Sequence, residues 1–259
     1  FTSATNSYNV AIGHDAGREI TTGINNTLIG GLCGDALTDA DNNVALGNSA
    51  LGADTLGSRS TALGRSALAS QNFTSATNTY NVAVGYNAGS AVSTGVENTI
   101  IGGLAGDSLT LGNENTAVGL ASLGADTKGK KSVSVGWGTL TNQNFTSATD
   151  AYNTAVGYAS GNDITTGQRN TLIGGLAGDA LTDADYNIAL GYETLSSDTK
   201  GSGSVAIGYK TLSTQNLTSS TTTYNTAVGY LAGQLLTAGT LNTLIGANAG
   251  DAITNNGLN

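Results

Sequence analysis

The side chains best suited to contact a ligand are aromatic, and they occupy fixed places in a repeated pattern. Five of the ten tyrosines directly follow a glycine of one regularly spaced series, and the other five stand five positions before a glycine of that series. The latter are Tyr8, Tyr80, Tyr152, Tyr186 and Tyr224. Flat aromatic faces beside polar Asn and Thr suit a sugar-binding surface; the alternative is that the rings cover apolar edges at corners of the fold. The candidate glycan contacts are the aromatics that follow the glycine: Tyr86, Trp137, Tyr158, Tyr192, Tyr209 and Tyr230.

Acidic residues are the second group with chemical potential. Asp35, Asp107, Asp179 and Asp251 share one position of the repeat, and alternating aspartates such as Asp39 and Asp41 occur in some copies. Alternate carboxylates can bind calcium, but this spacing matches no complete calcium loop. The pattern favours solvated turns, and we predict no metal site and no cofactor.

A catalytic centre needs a place that differs from the rest of the chain. Here each acid is repeated or lies in a turn, and the single histidine, His14, is tyrosine in the other copies (Tyr86, Tyr158 and Tyr230). Paired carboxylates that cut a polysaccharide remain the main enzymatic rival. We predict that the protein is not an enzyme and has no catalytic residues.

These residues are carried by a short motif, Asn9-Val10-Ala11-Ile12-Gly13, that returns fourteen times. We call its last residue the closing glycine. Closing glycines follow one another at intervals of 17, 17, 17 and 21 residues, which makes a 72-residue cycle. Such self-similarity predicts a solenoid in which each motif is one coil. We expect one domain over residues 1–259, with units 1–72, 73–144, 145–216 and 217–259. Because Phe1-Thr2-Ser3-Ala4-Thr5 matches Phe73-Thr74-Ser75-Ala76-Thr77, we also expect a fragment of a longer fibre.

The motif has the alternation of a β-strand, with apolar residues on both faces. We expect the residues one and three positions before the closing glycine to line the inside of the coil. In the first unit these are Ile12, Ile29, Leu46 and Leu63, and Val10, Thr27, Val44 and Thr61. The residue between them is nearly always Ala or Leu, and we expect it to pack against another chain. The predicted oligomer interface is Ala11, Leu28, Ala45, Ala83, Ile100, Ala155, Leu172, Ala227 and Leu244.

Other positions of the repeat predict structural roles. The residue four before the closing glycine is Asn or Ser, which predicts a hydrogen-bonded ladder between coils. A small residue three after the glycine, such as Ala16 or Cys33, indicates a second short strand, and Cys33 is expected to be a buried filler. The longer fourth coil carries Phe1, Phe73, Phe145 or Leu217 at one point, which predicts a loop pinned to the body or to a neighbouring chain.

Composition excludes several partners. The net charge of −9 disfavours nucleic acid and anionic lipid. No run of about 18 apolar residues occurs, so no membrane insertion is predicted. One cysteine excludes an intrachain disulfide framework.

The motif Asn9-Val10-Ala11-Ile12-Gly13 with Ala16, and Asn153-Thr154-Ala155-Val156-Gly157, resembles the head repeat of YadA-type trimeric autotransporter adhesins. Residues 170–179 resemble repeats in bacteriophage tail-fibre proteins. The spacing of the closing glycines predicts an all-β parallel solenoid of 17- and 21-residue coils, and the resemblance implies that it is a left-handed β-roll and a homotrimer. It implies an extracellular adhesive rod, either in a virion tail fibre that attaches to a host-surface glycan or protein receptor, or in a bacterial surface adhesin. A polysaccharide-degrading tailspike and an ice-binding protein are weaker alternatives. The coils are longer than is usual in the autotransporter family and are grouped in fours.

Overall fold

A computed structural model describes residues 6–255. Within them the secondary structure is entirely β, and the strands are two or three residues long because the chain turns again after each motif. The three-residue strands are β1 (Val10–Ile12), β2 (Thr27–Ile29), β3 (Val44–Leu46), β5 (Thr61–Leu63), β7 (Val82–Val84), β8 (Thr99–Ile101), β9 (Thr116–Val118), β11 (Val133–Val135), β13 (Thr154–Val156), β14 (Thr171–Ile173), β15 (Ile188–Leu190), β17 (Val205–Ile207), β19 (Thr226–Val228) and β20 (Thr243–Ile245). The two-residue strands are β4 (Gly57–Ser58), β6 (Thr77–Asn78), β10 (Gly129–Lys130), β12 (Thr149–Asp150), β16 (Gly201–Ser202) and β18 (Thr221–Thr222).

The described chain forms two compact units. The first runs to Lys130 and includes Thr146–Ala148; the second comprises Lys131–Phe145 and the residues from Thr149 onward. Each unit contains seven of the three-residue strands, so the chain has about fourteen coils of parallel β-solenoid. Successive strands pair in parallel, with Val10 beside Thr27 and, across a longer coil, Thr61 beside Val82. The predicted parallel solenoid is confirmed.

The two faces of the strands are the reverse of those predicted. The residue two before the closing glycine points into the coil, and Leu28, Ala45, Ala155 and Leu172 are all 0% exposed. The predicted interface residues Ala83, Ile100, Ala227 and Leu244 are likewise buried inside, whereas Ala11, in the first coil, is exposed. Buried side chains cannot contact a second chain, so the predicted interface is wrong for these eight buried residues.

The residues that were expected to line the interior lie on the outer face instead. Val10, Ile12, Val44 and Leu46 are 41% to 59% exposed, and Thr27, Ile29, Thr61 and Leu63 are half-buried. The exposed and half-buried aliphatic side chains therefore lie on the face of each strand opposite to the predicted interface.

The interior selects this arrangement by size. Where the inward residue is large, the opposite wall is glycine: a Cβ on Gly34 would lie 2.8 Å from Cδ2 of Leu28, and a Cβ on Gly161 would lie 2.8 Å from Cδ1 of Leu172. In the third and fourth coils of a 72-residue unit, such as those of Ala45 and Ala62, the inward strand residue is alanine and the opposite wall supplies the buried Leu51 or Leu68. The first coil of a unit has a small residue on both walls, such as Ala155 and Gly161, and Leu172 of the next coil reaches into its space. The narrow interior is thus filled by large side chains that neighbouring coils share, as close packing requires.

The chain after each closing glycine forms turns, so the predicted second strand is wrong there. Asp15 and Gly17 have φ values of 56° and 60°, and the equivalent positions of other coils are also left-handed. Extended backbone needs negative φ, and two left-handed residues so close together bend the chain back. Hydrogen bonds between coils continue through the turns, as from Gly17 N to the carbonyl of Cys33 at 3.0 Å.

The predicted asparagine ladder is confirmed. Asn26 Oδ1 accepts a hydrogen bond from Asn43 N at 2.9 Å, and Asn26 Nδ2 donates to the carbonyl of Ala40 at 2.8 Å. Asn26 and Asn43 are fully buried. Each Asn side chain thus satisfies main-chain groups of the next coil that strand pairing does not reach.

The longer coils are closed by an apolar anchor, as predicted. Phe73, Phe145 and Leu217 are 4% to 8% exposed and pack against the body of their own chain; Phe1 lies outside the described residues. The extra residues let β4 pair with β6 and β16 pair with β18.

Candidate functional site: two aromatic columns

The first aromatic column consists of the residues that directly follow a closing glycine. Parallel pairing in register places them about 4.8 Å apart on successive coils, so neighbouring rings stack. Trp137 and Tyr158 have ring centroids 4.9 Å apart with an interplanar angle of 8°. Tyr209 stacks on Tyr192 at 5.8 Å and on Tyr230 at 5.4 Å.

This stacking changes what the column can offer a ligand. Tyr158, Tyr192, Tyr209 and Tyr230 are 40% to 58% exposed, but the faces of Tyr209 are covered by its neighbours. A sugar would therefore meet mostly ring edges and hydroxyls. Tyr86, in the first compact unit, instead has the Arg65 guanidinium over its ring, with Arg65 Cζ 5.6 Å from the Tyr86 ring centroid.

Charged neighbours hold the column in place. Lys210 Nζ lies 2.9 Å from Glu193 Oε2 and 5.7 Å from the Tyr209 ring. Hydrogen bonds from Tyr192 and Lys210 lower the pKa of Glu193, and the same bond from Tyr192 raises the pKa of that tyrosine.

The second aromatic column lies five residues before the closing glycine. In the second compact unit, tyrosines and cations alternate at this position on successive coils. Lys131 Nζ lies 5.3 Å from the Tyr152 ring centroid, and Arg169 Cζ lies 6.0 Å from Tyr152 and 5.4 Å from Tyr186. We call Lys131, Tyr152, Arg169 and Tyr186 the cation–tyrosine column. The regular placing of the tyrosines was evident in the sequence, whereas a role for the cations at the same position of intervening coils was not predicted.

The column continues into an open cavity. The next position holds Gly203 and the one after it holds Tyr224, so no side chain separates Tyr186 from Tyr224. A cavity of about 450 Å³ opens there. We call it the notch; it is lined by Asp185, Tyr186, Ser202, Gly203, Thr222 and Tyr224.

The repeated aspartates have structural roles where their contacts are visible. Asp41 Oδ1 accepts from Ile24 N at 2.8 Å, and Asp185 Oδ1 accepts from Gln168 N at 2.7 Å. Within residues 6–255, no group of three potential ligands could hold a metal ion.

Asp179 differs from its equivalents. Its Oδ1 is buried without a hydrogen-bond partner, and burial raises its pKa to about 6, helped by the charges of Asp163 and Glu193. Asp107 shares the same cause, since burial also raises its pKa. Asp35 instead lies 3.7 Å from an Arg18 nitrogen, and Asp251 is exposed.

A buried polar cluster, which sequence analysis missed, lies beneath each longer coil. Gln71 Nε2 donates to Asp54 Oδ2 at 2.6 Å and to Ser60 Oγ at 2.8 Å, and Gln71 Oε1 accepts from Asn81 Nδ2 at 2.8 Å. Asp54 Oδ1 also accepts from the main chain of Gly57 and Phe73, both at 3.1 Å. The sequence carried a signal for this cluster: in each longer coil, Ser replaces Asn four positions before the closing glycine, and a Gln follows that glycine in the same coil.

The remaining singular residues show no catalytic arrangement. The His14 side chain is 84% exposed and lies 3.7 Å from Asp15. Cys33 is buried as predicted, and desolvation raises the pKa of its thiol to about 11.

Comparison with known protein families, known proteins and solved structures returned no match. Over the described range, no helix is long and apolar enough to cross a membrane.

Proposed function

We propose that this chain is a non-enzymatic shaft segment of a trimeric surface fibre, a bacteriophage tail fibre that contributes to attachment to the host. The observation that supports this is the outer face of the strands. The residue one before each closing glycine is aliphatic in all fourteen coils, and none of these side chains is fully buried. We propose left-handed coils of 17 and 21 residues, and three copies around one axis, as in the families that the motif resembles.

We call these fourteen aliphatic residues, one before each closing glycine, the outer stripe. The outer stripe is large enough to drive association. Fully burying an aliphatic side chain is worth about 1.5–3 kcal/mol, so covering one that is half-exposed contributes roughly 1 kcal/mol. Five of the fourteen residues are 38% to 71% exposed and the other nine are less exposed. At about half that contribution for each of the nine, the fourteen supply roughly 10 kcal/mol for each chain, which is comparable to the roughly 4–15 kcal/mol that association costs. The threonines and valines two positions earlier, such as Thr171 and Val205, extend the same surface. Within each compact unit these residues follow one another on successive coils, and an apolar surface of this kind is typical of a protein–protein interface.

The mass of the intact chain in solution tests this proposal. Light scattering coupled to size exclusion should give about three times the chain mass of 25.7 kDa. Ile173→Asp places a charge on the outer stripe, where the native side chain is 42% exposed, and should yield folded monomers. Thr166→Asp, at an exposed turn, is the matched control and should remain trimeric. A native monomer, or an Ile173→Asp variant that stays trimeric, would contradict the proposal.

Ala155→Asp tests whether Ala155 lies inside the coil, as in the structure, or at the oligomer interface, as the sequence predicted. Ala155 is fully buried inside the coil, so an aspartate there should unfold the protein rather than release folded monomers. Circular dichroism of Ala155→Asp beside Ile173→Asp distinguishes the two. A folded, dissociated Ala155→Asp variant would restore the original assignment of the interface.

The head of a bacterial trimeric autotransporter adhesin is the second candidate, because the same outer stripe supports it. The flanking sequence separates the two: a C-terminal membrane-anchor barrel indicates the adhesin, and a baseplate-attachment segment indicates the phage fibre.

A further inference from the structure

We propose that the notch is a binding site for a small organic cation, an ammonium or guanidinium group, held between the rings of Tyr186 and Tyr224. This goes beyond the proposed shaft function and does not depend on the number of chains in the assembly.

The cation–tyrosine column shows what fits between two such rings. Arg169 lies between Tyr152 and Tyr186, and its Nη1 also donates to the Tyr186 hydroxyl at 3.1 Å. Tyr186 and Tyr224 are likewise two coils apart, about 10 Å at the spacing of paired strands. Gly203 occupies the position between them, so the alternation of cation and ring lacks one cation there.

The equivalent positions of the two earlier 72-residue units carry that cation. Gly203 corresponds to Arg59 and Lys131, and all three residues are left-handed, with φ values of 75°, 65° and 60°. Arg59 Cζ lies 5.5 Å from the Tyr80 ring centroid, and Lys131 Nζ lies 5.3 Å from that of Tyr152. Among these three positions, Gly203 of the third 72-residue unit leaves the ring without its cation, and the notch lies there.

The lining of the notch favours a positive guest. Asp185 contributes a carboxylate, Ser202 and Thr222 contribute hydroxyls, and Tyr186 and Tyr224 are 57% and 63% exposed. The negative faces of the two rings attract a cation. A net charge of −9 repels acidic ligands and adds a general attraction for positive ones.

Ligand-observed NMR on the full chain tests the proposal with three probes at matched ionic strength. Methylguanidinium represents a basic side chain, glucosamine represents an amino sugar, and glucose is the neutral control. Exposed cation–π contacts are weak, so we expect one site with a dissociation constant of about 1–10 mM for the charged probes. The charged probe that binds more tightly shows whether the natural ligand is a basic side chain or an amino sugar. Failure of both cations to bind, or equal binding of glucose, would overturn the proposal.

Two variants make the test specific to the notch. Gly203→Lys inserts the residue that the second unit already carries on the same backbone, so the protein should fold normally and binding should fall at least tenfold. Arg169→Gly, at a φ of 58°, opens an equivalent gap between Tyr152 and Tyr186 and should add a second site. Undiminished binding by Gly203→Lys, or no second site in Arg169→Gly, would refute the assignment. Because neither residue lies on the outer stripe, both variants should keep the oligomeric mass of the native protein whether or not it is a trimer.

Discussion

Gly102→Ala is the sharpest test of how the coils stack, and Gly103→Ala beside it is the control. Gly102 is a closing glycine with a φ of 135°, a conformation that is costly for any residue with a side chain. A Cβ there would lie 2.6 Å from the carbonyl carbon of Gly119 in the next coil, and closer still to its oxygen. Neither atom belongs to a flexible side chain, so the backbone of the next coil has to move.

The expected magnitude combines two costs. The backbone conformation costs about 1–3 kcal/mol for a non-glycine residue. Displacing the neighbouring carbonyl adds roughly 2 kcal/mol, for a total of about 3–5 kcal/mol, which is exceptional for one methyl group. A Cβ on Gly103 would instead lie 3.4 Å from Cδ1 of Leu120, a flexible side chain. Lower entropy of the unfolded chain offsets that contact, so Gly103→Ala should change stability by less than about 1 kcal/mol.

Guanidinium denaturation followed by circular dichroism measures the difference. At a slope of roughly 5 kcal/mol per molar, a loss of 4 kcal/mol lowers the midpoint by about 0.8 M. Solenoids can open locally, so hydrogen exchange at Thr99–Ile101 and Thr116–Val118 should show the same contrast. Equal midpoints and equal exchange in the two variants would refute the stacking described for the closing glycines.

Three further predictions concern buried polar groups. The Asp179 pKa of about 6 lies above its unfolded value of 3.8, so this group's stabilising contribution is complete below about pH 4 and is lost as the pH rises through 6. Asp179→Asn should therefore raise stability by about 1 kcal/mol at pH 7.5, after allowance for partial exposure, and by nothing at pH 3.5; a pH-independent difference in melting would contradict this. Gln71→Ala should cost about 2–4 kcal/mol because it removes a donor from the buried Asp54 carboxylate, whereas Ser70→Ala, at an exposed neighbour, should be neutral in the same denaturation assay. Cys33 should resist iodoacetamide at pH 8 in the folded protein and react after denaturation, because its pKa is about 11; rapid labelling of the native chain, seen by mass spectrometry, would show that its coil is open.

The sequence by itself determined the parallel solenoid. Periodic closing glycines count the coils, Asn or Ser before each strand supplies the ladder, and Phe73, Phe145 and Leu217 anchor the longer coils. These features are local and repeat in register, so each copy reports the same environment.

The tertiary structure decided which face of the strand is inside. Alternation along the strand places Ala155 on one face and Thr154 and Val156 on the other. Because both faces carry apolar residues, the pattern does not show which face points into the coil. The choice depends on the opposite wall: Gly161 and Gly178 leave room for Leu172, whereas Leu51 and Leu68 fill the coils of Ala45 and Ala62. That complementarity joins residues several positions apart, across a turn whose left-handed geometry only the folded chain reveals. The notch has the same origin, because Gly203 becomes a gap only when Tyr186 and Tyr224 are stacked on either side of it.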